Sequence, residues 1–127
     1  MCTGTGETAA DLRRLAPHGT AIYALDFSLP MLREAKRKPE AEHIHFATSD
    51  VRWLPFPNES FDLVTISFAT RNINLSEDIL VQSFAEFHRI LKPGGRFVNL
   101  ETSQPSLLPL KKCFHLSEAS LSCSTYE

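Results

Sequence analysis

"MCTGTGETAADL" at residues 1–12 is a glycine-rich turn that leads directly into a helix, and this stretch decides the fold. Gly4 and Gly6 carry no side chain, so the backbone can come close to a ligand at these positions. The helix predicted over 7–15 points its first N–H groups at the turn, where a carboxylate or phosphate would bind. A turn of this kind normally follows a buried strand, and here the sequence begins inside the turn.

Strand and helix patterns alternate along the rest of the chain. Short apolar runs predict strands at 21–26, 43–50, 63–68 and 96–101. Apolar residues at helical spacing predict two further helices, one that Ser28 opens and that ends near Pro39, and one from Ser76 to Leu91. The KPGG sequence at 92–95 breaks the last helix. This order is typical of an α/β fold with a mostly parallel sheet and helices on both faces.

Composition describes an ordinary globular domain and argues against several functions. The chain has 127 residues and a formal net charge of -2, which gives no electrostatic reason to expect nucleic acid as a partner. No apolar run is long enough to span a membrane, and 3 widely spaced cysteines favour a reducing, cytoplasmic compartment. His43 and His45 share a face of one predicted strand, but no third ligand lies at a suitable spacing, so no metal site is predicted.

Acidic residues end two of the predicted strands, at the edge where parallel sheets bind ligands. Asp26 ends the first predicted strand after the glycine turn, and its carboxylate could accept hydrogen bonds from both hydroxyls of a ribose. Asp50 ends the next strand and could accept a hydrogen bond from an adenine amino group. These residues favour a nucleoside with an anionic end. They also fit a dinucleotide, so the residues alone leave an NAD-type oxidoreductase domain open.

Two longer stretches carry a family resemblance: "SDVRWLPFPNESFDLVTISFATRNI" at 49–73 and "EFHRILKPGGRFVNLETSQP" at 86–105. They resemble the class I S-adenosylmethionine-dependent methyltransferases, and more narrowly the UbiE/COQ5 family of ubiquinone and menaquinone biosynthesis C-methyltransferases. SFATRN at 67–72 together with LETSQP at 100–105 is the most selective part of the pattern. The resemblance extends from residue 1 to about residue 116 and implies S-adenosylmethionine as the cofactor.

The resemblance assigns cofactor contacts to positions at the predicted strand ends. It implies that Asp26 takes the ribose hydroxyls and that Asp50 and the Val51 backbone read the adenine. The full set of implied cofactor-binding residues is Gly4, Thr5, Gly6, Asp26, Asp50, Val51 and Ser67. These positions agree with the ligand-binding edge that the predicted strand ends indicate.

The resemblance also implies the reaction, which is methylation of a ring carbon of a prenylated benzoquinol or demethylmenaquinol, with no metal ion. Arg71 and Asn72 follow the strand that carries Ser67 and are the implied catalytic residues. Arg71 would stabilise a developing phenolate or activate a water molecule, and Asn72 would orient a ring oxygen. The alternative for Arg71 is a structural role in which it ties down its own loop.

An incomplete three-layer, Rossmann-like sandwich is expected, because relatives have a strand before the glycine turn and further strands at the other end. We expect a partial S-adenosylmethionine-binding core at 1–104 and a divergent tail at 105–127. The strands at 21–26 and 63–68 would then each have an unpaired edge in the middle of the sheet. Whether a chain truncated in this way is active is left open, and an inactive fragment that keeps only protein contacts is a third interpretation.

The implied partners follow from the implied substrate. A prenylated quinol would bring a cytoplasmic enzyme to the inner face of the membrane as a peripheral protein. A homo-oligomer and a complex of quinone-biosynthesis enzymes are both compatible with the resemblance.

Overall fold

A computed structural model describes residues 1–73 and 76–101 of the chain. The elements in chain order are α1 (Glu7–Leu15), β1 (Tyr23–Asp26), α2 (Leu29–Ala35), a 3-10 helix (Pro39–His43), β2 (His45–Thr48), β3 (Phe61–Ser67), α3 (Thr70–Ile73), α4 (Glu77–Ile90) and β4 (Leu91–Leu100). The predicted tail at 105–127 lies outside the described residues. None of the helices within the described ranges has the length and apolar character needed to cross a bilayer.

The strands pair in parallel, as the alternation of strands and helices predicted. β1 pairs with β2 from Tyr23 opposite His45 to Asp26 opposite Thr48. β3 pairs with β4, which ends at Leu100 opposite Ser67. In both pairs the carboxyl ends lie side by side, so the residues that follow them meet at one edge.

The two strand pairs form two separate two-stranded sheets in the described part of the chain. Residues 1–3 lie between them. The main-chain N–H of Thr3 donates to the carbonyl oxygen of Leu25 in β1 at 2.8 Å. The amino group of Met1 donates to the carbonyl oxygen of Thr65 in β3 at 2.6 Å. The open edges expected for the strands at 21–26 and 63–68 are therefore found, and only residues 1–3 bridge them with main-chain bonds among the described residues.

One face of α4 forms the main core. Phe87 and Ile90 of this helix are buried against Val64 and Ile66 of β3 and Leu25 of β1. Burial of each large side chain stabilises the fold by about 1.5–3 kcal/mol. α4 begins where it was predicted to, because the Ser76 hydroxyl accepts a hydrogen bond from the N–H of Ile79 at 3.3 Å.

Three local expectations were wrong. Leu91 starts β4 instead of ending α4, because it pairs with Phe61 while residues 92–95 loop out before Arg96 pairs with Leu63. The Ser28 hydroxyl does not cap α2; the main-chain N–H of Ser28 donates to Asp26 instead. His43 ends the 3-10 helix that Pro39 opens, so it does not share a strand face with His45.

An ion pair on α4 holds the connection between β2 and β3. Arg89 donates to the carbonyl oxygens of Leu54 at 3.0 Å and Phe56 at 2.7 Å. Glu86 accepts from the Leu54 N–H at 2.8 Å and from Arg89 Nε at 2.6 Å. The hydrogen bond from Arg89 lowers the pKa of Glu86 below its ordinary value.

Glu86→Gln should lower the free energy of unfolding by about 1 kcal/mol at pH 7, because a charge-assisted hydrogen bond is lost. A depressed folded-state pKa stabilises the fold above the ordinary glutamate pKa and loses that effect as pH falls through the folded-state value. The difference between the two proteins in urea unfolding should therefore shrink below about pH 4. Glu34→Gln, which removes an exposed pair with Arg37, is the control and should cost less than about 0.5 kcal/mol.

Candidate functional site

The glycine turn closes on itself in front of α1. The N–H of Gly6 donates to the carbonyl oxygen of Thr3 at 2.8 Å, and both glycines are left-handed, with φ of 52° at Gly4 and 80° at Gly6. A Cβ atom at Gly6 would lie 2.8 Å from the Cβ of Ala35, so this glycine lets α2 pack against the turn. A Cβ atom at Gly4 would meet nothing within 4 Å. The turn is therefore open to a ligand at Gly4 and closed by packing at Gly6.

Asp26 is the centre of the site. Its side chain is buried, with the residue 7% exposed. Oδ2 accepts a hydrogen bond from the N–H of Gly4 at 2.7 Å, and Oδ1 accepts one from the N–H of Ser28 at 2.9 Å. Each carboxylate oxygen has a second lone pair, so both oxygens can accept a further hydrogen bond from a ligand. The carboxylate is thus fixed in orientation and still has the capacity that ribose hydroxyls require.

Asp50 lies next to Asp26 through the strand pairing, because the N–H of Ser49 donates to the carbonyl oxygen of Asp26 at 3.0 Å. The Asp50 carboxylate is engaged by Arg52, whose Nη2 lies 2.6 Å from Oδ2 and whose main-chain N–H lies 2.9 Å from Oδ1. These bonds from Arg52 lower the pKa of Asp50. Asp50 is therefore an ionised acceptor whose capacity is mostly used, and Val51 beside it is half-buried.

Ser67 ends β3 and faces the start of α1. The Thr8 hydroxyl donates to the Ser67 hydroxyl across 3.2 Å. This contact joins the end of β3 to the helix behind the glycine turn. The turn is thus bonded directly to Asp26. Asp50 follows Ser49, which is bonded to Asp26, and Ser67 is bonded to Thr8 of the helix behind the turn.

Arg71 and Asn72 lie on the short helix α3, which the sequence pattern did not predict, and both are exposed. β3 ends because Phe68 takes a left-handed conformation, with φ of 54°. Glu101 then accepts a hydrogen bond from the Thr70 N–H at 2.6 Å and so holds the first residue of α3. Sequence reasoning noted Glu101 as a strand end without giving it this role.

Exposed aromatic side chains follow the strand ends, and sequence reasoning missed them. Phe27 comes directly after Asp26, Phe68 directly after Ser67, and Trp53 shortly after Asp50, and all are exposed. Their positions could have been found from the sequence, because each stands within three residues of a predicted site residue. Such rings offer flat apolar surfaces beside the polar groups.

Among the described residues, no group of three or more metal-ligating side chains is present.

Comparison with solved structures defines the class of protein. An S-adenosylmethionine-dependent methyltransferase from Clostridium acetobutylicum is 30% identical and superposes with a TM-score of 0.65, covering 77% of this chain and 39% of that one. The expected fold of the class I S-adenosylmethionine-dependent methyltransferases is therefore confirmed. The chain belongs to the ubiE/COQ5 methyltransferase family, which matches residues 1–121.

Two relatives in this family match most of this chain. The demethylmenaquinone methyltransferase of Staphylococcus saprophyticus is 39% identical over 91% of this chain and 48% of its own length. That of Thermus thermophilus is 43% identical over 83% of this chain and 46% of its own length. The chain spans about half the length of these relatives.

Alanine at the two turn glycines should separate backbone strain from packing. Gly4→Ala should lower the free energy of unfolding by about 1 kcal/mol, because only the left-handed backbone is disfavoured. Gly6→Ala should cost about 3 kcal/mol, because the new methyl group also clashes with Ala35. Urea unfolding followed by circular dichroism measures both. Equal costs would contradict the packing role given to Gly6.

Proposed function

We propose that this chain provides the S-adenosylmethionine-binding part of a C-methyltransferase that acts on a prenylated quinol. The observation that carries the proposal is the Asp26 carboxylate, which is buried and oriented by the N–H groups of Gly4 and Ser28. It stands beside an open position at Gly4, in a chain that belongs to a methyltransferase family. Two alternatives, a dinucleotide-dependent oxidoreductase and an inactive fragment, have no support from the comparisons.

The residues of the site fit S-adenosylmethionine. Asp26 would accept hydrogen bonds from the two ribose hydroxyls through its remaining lone pairs. Asp50 keeps acceptor capacity for an adenine amino group beside its bonds to Arg52, and the Val51 main chain would border the same ring. The turn of Gly4, Thr5 and Gly6 would receive the amino-acid end of the cofactor at the positive end of α1. Ser67 would close the site from β3.

When bound, S-adenosylmethionine supplies a methyl group on a positively charged sulfur. Arg71 would lie against the acceptor ring, where a guanidinium stabilises the phenolate that makes the neighbouring ring carbon nucleophilic. Asn72 would orient a ring oxygen through its side-chain amide. The Glu101 contact to Thr70 supports both roles, because it fixes the start of the helix that carries these residues.

The choice of acceptor depends on the relatives. Two of them are named demethylmenaquinone methyltransferases, so demethylmenaquinol is the first substrate to test and a prenylated benzoquinol the second. The exposed rings of Phe27, Trp53 and Phe68 are compatible with an apolar ligand at the strand ends. A prenylated acceptor would bring the protein to the inner membrane face as a peripheral protein. A homo-oligomer or a complex of quinone-biosynthesis enzymes would be compatible with this position.

Asp26→Asn should weaken S-adenosylmethionine binding by about 2 kcal/mol, because a carboxylate accepts stronger hydrogen bonds from ribose than an amide does. The asparagine keeps the shape but only one acceptor oxygen, so one of the two hydrogen bonds from the N–H groups of Gly4 and Ser28 is lost and some stability is lost with it. Isothermal calorimetry measures the affinity, and urea unfolding of the same protein checks the fold. Asp62→Asn, at an exposed carboxylate that pairs with Lys92, is the control. An unchanged affinity in folded Asp26→Asn would contradict the ribose contact.

Arg71→Ala should lower the rate of methyl transfer to demethylmenaquinol about 100-fold, while cofactor affinity changes less than about twofold. Arg71→Lys keeps the positive charge and should recover part of the rate. Transfer of a radiolabelled methyl group gives the rate, and calorimetry gives the affinity. Arg33→Ala, at an exposed arginine of α2, is the control. Loss of cofactor binding or of the folded state in Arg71→Ala would assign this residue a structural role.

A further inference from the structure

Phe68 has a strained backbone at the carboxyl edge of β3. Its φ of 54° is left-handed, a conformation that Cys2 and Glu59 share among the non-glycine residues of the described chain. A bulky aromatic residue rarely adopts it, because the Cβ atom crowds a neighbouring carbonyl oxygen. Glycine would take the same conformation without that cost. The backbone at position 68 therefore gives no reason for a phenylalanine.

Hydrogen bonds from β4 and the residue after it hold this strained turn. The N–H of Phe68 donates to the carbonyl oxygen of Leu100 at 2.8 Å. The N–H of Thr70 donates to Oε1 of Glu101 at 2.6 Å, and its hydroxyl donates to Oδ1 of Asn99 at 3.1 Å. Strain of this kind persists only where the surrounding structure fixes it, and it is concentrated at functional sites. The direction of the chain between β3 and α3 is thus fixed.

The Phe68 side chain adds little to the core. The residue is 59% exposed, whereas Ala69 beside it is 6% exposed and Ile73 of α3 is 8% exposed. Those two residues belong to the core that packs against α4. Packing therefore gives no reason for an aromatic side chain at position 68 either. An exposed ring on a fixed backbone can receive a flat ligand at a low cost in entropy.

Phe68 lies between the residue proposed to close the cofactor site and the residues proposed to act on the acceptor. Ser67 precedes it at the end of β3, and Arg71 and Asn72 follow it on α3. In a direct transfer, the acceptor carbon must come within about 3–3.5 Å of the methyl carbon. The acceptor ring must then lie between these residues, and Phe68 is the aromatic residue at that position.

We propose that Phe68 is a specificity-determining residue whose ring stacks on the aromatic ring of the methyl acceptor. This inference rests on the proposed function and names the part of the acceptor that is recognised, which is the flat hydroxylated ring and not the prenyl chain. Aromatic rings in an offset-stacked pair attract each other more strongly than their buried area alone explains. The fixed turn orients the Phe68 backbone before the acceptor arrives, which lowers the cost of binding.

The test measures the binding of 1-naphthol, a redox-stable aromatic probe, by NMR titration of the full chain. S-adenosylhomocysteine, which has no methyl group to transfer, is present throughout. Phe68→Ala should weaken 1-naphthol binding about tenfold, and Phe68→Tyr, which keeps a ring, should bind like the parent. Decahydro-1-naphthol has the same skeleton without an aromatic ring, so its binding should change less than about threefold in Phe68→Ala. Val81→Ala, at a side chain of α4 that is also exposed, is the control and should bind both probes like the parent.

Glycine variants separate recognition of the acceptor from folding. Phe68→Gly removes the ring and the strain together, so the urea midpoint should not fall while 1-naphthol binding weakens about tenfold. Glu59→Gly relieves the same left-handed conformation at an exposed residue of the connection between β2 and β3. It is the matched control, and its urea midpoint should not fall and its 1-naphthol binding should stay unchanged.

Two results would overturn the role given to Phe68. One is 1-naphthol binding that is absent in the parent or equal in the parent and folded Phe68→Ala. The other is a lower urea midpoint in Phe68→Gly, which would assign the ring to folding. Failure of the proposed function is distinguishable from both. A chain that binds 1-naphthol through Phe68 but transfers no methyl group to demethylmenaquinol would keep this contact and contradict the reaction.

Discussion

Satisfaction of one buried carboxylate organises this part of the molecule. A charge as deeply buried as that of Asp26 is costly unless hydrogen bonds compensate it. Gly4 and Ser28 supply them from opposite sides, so the carboxylate fixes the glycine turn and the start of α2 at the same time. The left-handed backbone at Gly4 follows from this, because it aims the N–H of the turn at the end of β1. A ligand would then meet acceptors that are already oriented, which lowers the cost of binding.

Short connections between neighbouring strand ends extend this order along the edge of the sheet. Ser49 joins the end of β2 to Asp26, Thr8 joins α1 to Ser67, and Glu101 joins the end of β4 to α3. Each connection joins residues that are far apart in sequence but close together at the carboxyl ends of the strands. The residues proposed to face the cofactor and those proposed to face the acceptor are therefore held by one set of connections, although they come from separate strand pairs.

The sequence predicted the elements with strong local signals and failed where pairing or side-chain conformation decides. α1 and the start of α4 follow from a glycine turn and from the Ser76 cap, which are local features. Leu91 was misassigned because helical spacing from Phe87 is overridden by pairing with Phe61 across the sheet. The engagement of Asp50 by Arg52 depends on turn geometry that residue identities do not specify. The roles of Arg71 and Asn72 stay predictions, since the resemblance supplied them.

The glycine turn and the carboxylate site are held by the same few atoms as residues 1–3. Thr3 donates to Leu25 of β1, and its carbonyl oxygen accepts from Gly6, which closes the turn. The next residue, Gly4, donates to Asp26. The contacts that hold residues 1–3 between β1 and β3 therefore also hold the turn, and with it the carboxylate. By linkage, a ligand that binds the ordered turn stabilises this placement of residues 1–3 by the same free energy as the placement favours the ligand.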